Sequence, residues 1–264
     1  MKITLLVDNK QAEPLQCEFG LSLLLEHSQD CWLFDTGADR ALKHNLQILN
    51  IAPEKPRKII LSHGHYDHTG GLAQLPPAEI WCCKNITDTH FSFHSANDIH
   101  NIAMPDAAQK VLNASKLHIV EKFTSIAPGI RLTGPIPRSS SEDCGGKFFH
   151  DIQCTVPDTV DEEQALLTDS GALITGCCHA GIINTIQYCR SVCPQIPIRS
   201  ITGGLHLRAA SEKRLTETAE FLQRIRIEKL YLLHCTGDNA VDFLRRTLRD
   251  VEIYTPLPGE SWEV

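Results

Sequence analysis

The chain has 264 residues, of which 42% are hydrophobic and 22% are charged, and its formal net charge is −7. This composition is typical of a globular chain with one large core, and it excludes extensive disorder. The acidic balance leaves no basic face for a phosphate backbone, so no nucleic-acid partner is expected. No apolar run is long enough to cross a bilayer and the start lacks a secretory signal, which predicts a cytoplasmic protein with no membrane partner.

Short apolar runs separated by turn residues predict strands in the first third of the chain, at residues 3–7, 20–26, 31–34, 59–61 and 79–82. Residues 41–51 have helical spacing and end before Pro53. From about residue 84 to 161 the pattern is less regular, with one helix predicted over PDAAQKVLNA and one strand at 117–121. We expect this insertion to cover the functional site.

A regular pattern returns after residue 161 and predicts a hairpin followed by alternating strands and helices. The hairpin pairs 164–167 with 172–175; helices follow at 182–193, 211–225 and 240–248, and strands at 198–201, 229–233 and 251–254. Strand-rich and α/β halves are compatible with two sheets flanked by helices in a single domain, 1–264.

The most informative segment is SHGHYDHTGG, residues 62–71, directly after the apolar run RKIIL. Alternate residues of an extended segment point the same way, so His63 and His65 are predicted to chelate one ion together. Asp67 and His68 then face elsewhere, and the three glycines permit a tight backbone that brings this second pair beside the first. The pattern predicts two metal ions that share a water molecule.

Two imidazoles leave a metal ion under-coordinated, so further ligands must come from distant parts of the chain. Three histidines occupy similar positions, after an apolar predicted strand and within three residues of a glycine: His179, His206 and His234. Each is a candidate ligand.

Six motifs in this order resemble those of the metallo-β-lactamase superfamily, in particular the branch named for dihydropterin–ribofuranosylaminobenzene phosphate synthases. They are FDTG, LSHGHYDHTGGL, TGPIPR, TGCCHAGI, GGLHL and HCTG, and they spread over almost the entire chain. The resemblance implies an α/β fold, an αββα sandwich of two mixed β-sheets flanked by helices. It also implies a shallow groove with one or two divalent metal ions, zinc in the first place and manganese or iron as alternatives.

The resemblance also implies roles for individual residues. One set would bind the first ion, namely His63, His65 and His179, and another the second, namely Asp67, His68 and His234. Asp35 in FDTG would hold a ligand histidine from behind; the alternative is that it caps a helix starting near Ala38. Hydrolases of this superfamily have a bridging aspartate after a late strand, where this chain offers His206. His206 is expected to bind metal or contact substrate, and with Asp67 to take part in catalysis.

Other residues beside the motifs have two interpretations each. Arg138 in GPIPR is expected to anchor an anionic group, unless it is an exposed loop arginine. Tyr66 would contact the substrate or line the groove. Three cysteines that flank the ligands, Cys177, Cys178 and Cys235, are interpreted as small buried hydrophobic residues in preference to thiolate ligands.

A dinuclear site lowers the pKa of bound water, so the first functional hypothesis is hydrolysis of a small anionic, phosphorylated molecule by a metal-bound hydroxide. The alternative is a transferase that condenses a dihydropterin-methyl diphosphate with an arylamine ribose phosphate. A third hypothesis, from another class, is a metal or ligand sensor without catalysis. The irregular segment is compatible with a lid or with an interface in a homo-oligomer.

Overall fold

Two seven-stranded sheets face each other in a computed structural model that describes residues 1–142 and 146–264. In chain order the strands are β1 (Lys2–Val7), β2 (Ser22–His27), β3 (Asp30–Phe34), β4 (Lys58–Ile60), β5 (Glu79–Cys82), β6 (Phe91–Ser95), β7 (Asp98–Asn101), β8 (Lys116–Ile119), β9 (Thr124–Ala127), β10 (Ile130–Leu132), β11 (Phe148–Phe149), β12 (Pro157–Asp158), β13 (Leu166–Thr168), β14 (Ala172–Thr175), β15 (Ser200–Gly203), β16 (Lys229–Leu232), β17 (Glu252–Tyr254) and β18 (Ser261–Glu263). The helices are α1 (Ala41–Ile48), α2 (Tyr66–Thr69), α3 (Asp106–Ala114), α4 (Ile182–Val192), α5 (Glu212–Ile225) and α6 (Asp238–Thr247).

The first sheet has the order β18-β1-β2-β3-β4-β5-β8 and the second has the order β17-β16-β15-β14-β13-β10-β9. Both sheets are mixed. Strands β3, β4, β5 and β8 are parallel to one another, as are β14 to β17, and the remaining pairs within these two sheets are antiparallel. Five of these parallel strands end in loops that hold sequence motifs, namely β3, β4, β14, β15 and β16.

Four layers follow from where alternate strand residues point. In β3, Trp32 and Phe34 lie in the core between the sheets, whereas Leu33 packs against α1 and α3. In β14, Ile174 faces the inter-sheet core and Leu173 packs against α4, α5 and α6. The αββα sandwich and its two mixed sheets are thereby confirmed.

The segment from 84 to 161 contains more regular structure than the sequence pattern predicted. It includes the predicted helix α3 and strand β8, and also β9 and β10, which extend the second sheet. Four further strands form a separate small sheet with the order β12-β11-β6-β7, here called the cover sheet. Strands of two to five residues are too short for an alternating pattern to be recognised.

Two observations concern composition. None of the ten cysteines in the described ranges forms a disulfide, and Cys144 lies outside those ranges. Within residues 1–142 and 146–264, no helix combines the length and the apolar character needed to span a membrane.

Candidate metal centre

The candidate site lies where parallel strands of both sheets end, the edge at which α/β folds usually bind ligands. From the first sheet, β3 leads to Asp35 and β4 leads to the segment 62–71. From the second sheet, β14 leads to His179, β15 to His206 and β16 to His234. The six predicted metal ligands thus lie on loops from opposite sheets, and these loops meet at one place.

Two glycines of the segment 62–71 are required by the close approach of the FDTG loop. A Cβ atom on Gly70 would lie 1.9 Å from the Ala38 carbonyl oxygen, and one on Gly71 would lie 1.9 Å from that of Thr36. The Thr36 backbone N–H donates to the His68 carbonyl at 2.7 Å, which ties the two loops together. These glycines therefore serve loop docking, whereas the sequence suggested a tight turn.

His63, His65 and His179 form the first ligand group. Their candidate ligand atoms all lie within 4.8 Å of one another, and the three side chains are buried. Burial lowers the pKa of His63 and His179 well below the usual value and that of His65 to about 3. Each imidazole is therefore neutral at neutral pH, the form that binds a metal ion.

Asp67, His68, His234 and Cys177 form the second ligand group, again with ligand atoms within 4.8 Å. Asp67 Oδ2 lies 3.2 Å from His234 Nε2 and 3.7 Å from His68 Nε2. Burial opposes ionisation of Asp67, but the charges of His68 and His234 hold its pKa below the usual range. Against the effect of burial, Asp67 and Asp35 raise the pKa of His68 to about 9, so a metal ion must displace a proton there.

Asp35 sets the orientation of two ligand rings. Its buried carboxylate accepts hydrogen bonds from the Ser62 N–H, the Ser62 hydroxyl and His68 Nδ1, each at 2.7 Å. Because the Ser62 hydroxyl donates to this carboxylate, its oxygen accepts from His63 Nδ1 at 2.8 Å. Both rings therefore carry a proton on Nδ1 and direct Nε2 into the site.

Asn9 sets the orientation of the His234 ring. The Gly20 N–H donates to Asn9 Oδ1, and Asn9 Nδ2 donates to the His234 carbonyl, which fixes the orientation of the amide. Asn9 Oδ1 consequently accepts from His234 Nδ1 at 2.9 Å, and His234 Nε2 faces Asp67. Asn9 lies in no motif of the sequence, and Ser62 lies in the segment 62–71 but was assigned no role there.

Glu18, and not Asp35, accepts the hydrogen bonds at the start of helix α1. Glu18 accepts the backbone N–H groups of Ala38 and Asp39 through Oε1 and that of Ala41 through Oε2. These are the free N–H groups around the start of α1. Asp35 is thereby left to orient the ligand rings.

Arg138 was expected to anchor an anion, but in the structure its guanidinium holds the backbone next to a candidate ligand, His179. Its guanidinium donates to the His179 carbonyl at 2.7 Å and to the Thr159 carbonyl. The buried Glu163 carboxylate accepts the N–H groups of His179 and Ala180 at 2.6 and 2.7 Å. Both polar groups of the His179 backbone are therefore held by charged side chains.

Cys177 is buried, as the sequence predicts, but it also lies among the candidate ligands. Its Sγ lies 3.1 Å from His68 Nε2 and belongs to two candidate groups, the second group above and one with His179 and His206. Cys177 thus lies between the two ligand groups, whereas the sequence offered His206 for the bridging position. Burial raises the pKa of its thiol, so a thiolate there needs a cation beside it. Cys178 points into the helical core.

His206 lies beside the first ligand group and does not belong to either main group. Its ring centroid is 4.4 Å from that of His179, and its Nδ1 is buried without a hydrogen-bond partner. Its backbone has a left-handed φ of 48°, and its N–H donates to Cys235 Sγ at 3.3 Å. This position suits a contact with a substrate bound over His179.

Five of the seven candidate ligands form the floor of a cavity of about 820 Å³, namely His65, Asp67, Cys177, His179 and His234. Aromatic and cationic side chains form its walls, namely Phe19, Tyr66, Phe93, Phe148, Lys147 and Arg208. The cover sheet supplies Phe93 and Phe148 on one side of the cavity. Phe148 contacts three floor histidines, with ring centroids 5.2 to 6.0 Å from those of His65, His179 and His206. Asp67 is the one acidic residue among the described lining residues, so the cavity suits an anion.

We expect Cys177→Ser to remove a thiolate ligand while leaving the histidine ligands in place. The cobalt-loaded protein should then lose a near-ultraviolet thiolate-to-cobalt absorption band, measured by spectroscopic titration. Cys235→Ser is the matched control, because Cys235 is equally buried but belongs to neither ligand group. A band that survives in Cys177→Ser and disappears in Cys235→Ser would show that the wrong cysteine was chosen.

Comparisons with known proteins agree with this geometry. The metallo-beta-lactamase superfamily model matches residues 15–92. The crystal structure of a metal-dependent hydrolase of the β-lactamase superfamily superposes with a TM-score of 0.87 and 28% identity, covering 100% of this chain and 99% of the other.

Two curated relatives come from Methanocaldococcus jannaschii. One is an uncharacterised protein, 29% identical over 90% of this chain and 92% of its own length. The other is 7,8-dihydropterin-6-methyl-4-(beta-D-ribofuranosyl)-aminobenzene-5'-phosphate synthase, 26% identical over 90% of this chain and 87% of its own length. With its αββα fold and its two converging ligand groups, the chain resembles the metallo-β-lactamase superfamily, whose model matches residues 15–92, and it shares the fold of a metal-dependent hydrolase of that superfamily.

Proposed function

We propose that the chain is a metal-dependent enzyme that hydrolyses a small anionic, phosphorylated molecule. The observation that supports this most directly is the position of the two ligand groups on the floor of a cavity with two cationic side chains in its walls. Neither Arg208 nor Lys147 forms an ion pair with a described acidic side chain, so both remain available to a bound anion.

The donor sets fit divalent cations. Three neutral imidazoles suit the first position, and a carboxylate, two imidazoles and a thiol suit the second. The soft sulfur of Cys177 favours zinc over manganese. Two such cations, when bound, supply an activated water and polarise a phosphoryl oxygen. Asp35, Ser62 and Asn9 hold the ligand rings and would thereby keep the two cation positions fixed relative to each other.

Arg208 replaces Arg138 as the proposed anion anchor. Its guanidinium lies over the Phe19 ring, 5.6 Å from the centroid, at the rim of the cavity. Lys147 lies over the Phe93 ring at 5.9 Å on the cover sheet. Cation–π contacts hold both groups without neutralising their charge.

Arg208→Ala is expected to raise the KM for a phosphoester by on the order of 10-fold, because a charge-assisted hydrogen bond is lost. The value of kcat should change less, since the metal ligands stay in place. Steady-state kinetics measures both constants. Arg246→Ala on the exposed face of α6 is the control and should leave them unchanged. An unaltered KM in Arg208→Ala would contradict the anchor.

A transferase is the second candidate, and the 26% identity with the synthase favours it. The aromatic walls formed by Phe19, Tyr66, Phe93 and Phe148 would suit a flat ring. The deciding experiment incubates the zinc- or manganese-loaded protein with a phosphoester panel and, separately, with a dihydropterin-methyl diphosphate and an arylamine ribose phosphate. Turnover of the second pair alone would replace hydrolysis with transfer. Full metal occupancy without any turnover would favour the sensor hypothesis.

A further inference from the structure

His90 is a buried histidine outside the six sequence motifs. Its relative exposure is 0%, and two backbone hydrogen bonds hold it beside the metal-binding segment. The Ile102 N–H donates to the His90 carbonyl and the Tyr66 N–H donates to the Ile102 carbonyl, both at 2.8 Å. His90 therefore follows the position of the ligand segment closely.

Asp158 sets the orientation of the His90 ring. His90 Nδ1 lies 2.6 Å from Asp158 Oδ2, and an ionised carboxylate can only accept, so Nδ1 carries the proton. Asp158 is itself buried, and its Oδ1 accepts the Val160 N–H at 2.7 Å. In a neutral ring the other nitrogen, His90 Nε2, then carries a lone pair, and this atom is buried without a hydrogen-bond partner.

His65 belongs to two clusters at once. One contains His63 and His179, and the other contains His90 and Asp158 with ligand atoms within 4.8 Å of one another. The two nitrogens of an imidazole point in different directions, so one ring can serve both clusters. His65 Nε2, like His90 Nε2, is buried without a partner, and the ring centroids of His65 and His90 are 5.1 Å apart.

An imidazole that binds a cation through one nitrogen carries a proton on the other, and this N–H needs an acceptor. We propose that His90 Nε2 accepts a hydrogen bond from the ring N–H of His65. Asp158, His90 and His65 would then form a hydrogen-bonded chain that positions His65 as a ligand of the first cation. The candidate ligand atoms of His65 and His90 lie within 4.8 Å of each other, so one bridging water or a small ring rotation would complete the hydrogen bond. His90 and Asp158 are positioning residues in this chain. The inference rests on the first cation site of the proposed function and not on the reaction.

A second carboxylate competes for His90. Glu162 Oε1 lies 3.5 Å from His90 Nε2 and accepts the Gly64 N–H at 3.0 Å. His150 Nε2 lies 3.5 Å from Asp158 Oδ1 on the outer side. If His90 were doubly protonated, it would donate to both Asp158 and Glu162, and it would have no lone pair for His65.

Two amide substitutions separate these roles. In His90→Gln the amide oxygen can reach the place of Nε2 and accept from His65. In His90→Asn the amide reaches only the place of Nδ1, where it can donate to Asp158. A purely structural role or a contact with Asp158 favours Asn, whereas the proposed chain favours Gln.

The test measures zinc affinity by competition with a chelator, and the cobalt spectrum, in a His234→Ala background that weakens the second ligand group. We expect His90→Gln to bind zinc nearly as well as the parent, and His90→Asn and His90→Phe to bind it about 10- to 100-fold more weakly. His94→Asn, at an exposed histidine on β6, is the matched control and should bind zinc like the parent.

Parent-like affinity in both His90→Asn and His90→Phe would overturn the inference, and so would a loss in His90→Gln equal to that in His90→Asn. If His90→Phe does not fold, as judged by circular dichroism of the zinc-free protein, the Gln and Asn pair decides. Failure to hydrolyse any phosphoester while this affinity order holds would overturn the proposed function and support the positioning chain. A parent that binds no zinc would overturn both.

Discussion

His65→Ala should lose the first cation and nearly all turnover while the zinc-free fold is kept. The side chain is one of three ligands in its group. It forms part of the cavity floor and belongs to none of the three hydrophobic cores. Loss of an outer partner of a ligand already costs 10- to 100-fold, so loss of the ligand itself should cost at least about 100-fold in zinc affinity. Elemental analysis and chelator competition measure the change.

Cys189→Ser is the control for His65→Ala. Cys189 is buried in α4 among residues of the outer helical core and belongs to no ligand group, so its replacement should leave the metal content unchanged. A normal metal content in His65→Ala would contradict the first ligand group. Loss of metal in Cys189→Ser would contradict the assignment of the cysteines.

Asp35→Ala should be the most destabilising single change at the site. The carboxylate is fully buried and accepts from the Ser62 N–H, the Ser62 hydroxyl and His68 Nδ1, so its removal leaves three donors without a partner. Loss of one partner of a buried charged pair costs about 3–5 kcal/mol in the free energy of unfolding. Denaturant unfolding of the zinc-free protein measures this loss, and zinc affinity should fall with it.

Asp35→Asn separates charge from backbone conformation. Asp35 has a left-handed φ of 59°, which asparagine adopts more readily than alanine. The asparagine side chain keeps one accepting oxygen, but its NH2 group can only donate. This NH2 group would face one of the three donors that now bind the Asp35 carboxylate. We expect an intermediate loss of stability and misplacement of His63 or His68. A zinc affinity equal to that of the parent would show that the carboxylate does not orient these rings.

The sequence predicted the layers well, and the histidines that it proposed as ligands converge in the structure, because both have local signals. Apolar runs that are buried on both sides, such as those of β4, β14 and β16, are recognisable from composition, and the HxHxDH spacing is rare by chance. The strands of the cover sheet escaped prediction. They are short and partly exposed, and their place depends on pairing between distant segments, as in Phe148 with Ser92.

Cys177 and Arg138 show where residue-by-residue reasoning stops. The rule that neighbouring residues face opposite sides holds within a strand, but β14 ends at Thr175 and Cys178 has a left-handed φ of 63°. The direction of Cys177 is therefore set by the turn. For Arg138, the guanidinium suits phosphate, but the fold places it against two backbone carbonyls. No local signal could reveal either contact.

The origin of the ligands has a consequence for the stability of the sandwich. The segment 62–71 comes from the first sheet, whereas Cys177, His179 and His234 come from the second. A cation held by both sets cross-links the two halves of the molecule, much as a disulfide would in an oxidising compartment. Heat resistance should therefore rise with the free zinc concentration, because ligands that bind only the folded state shift the unfolding equilibrium. Without a bound cation, the two halves would lack this cross-link, and the molecule would be more sensitive to proteolysis.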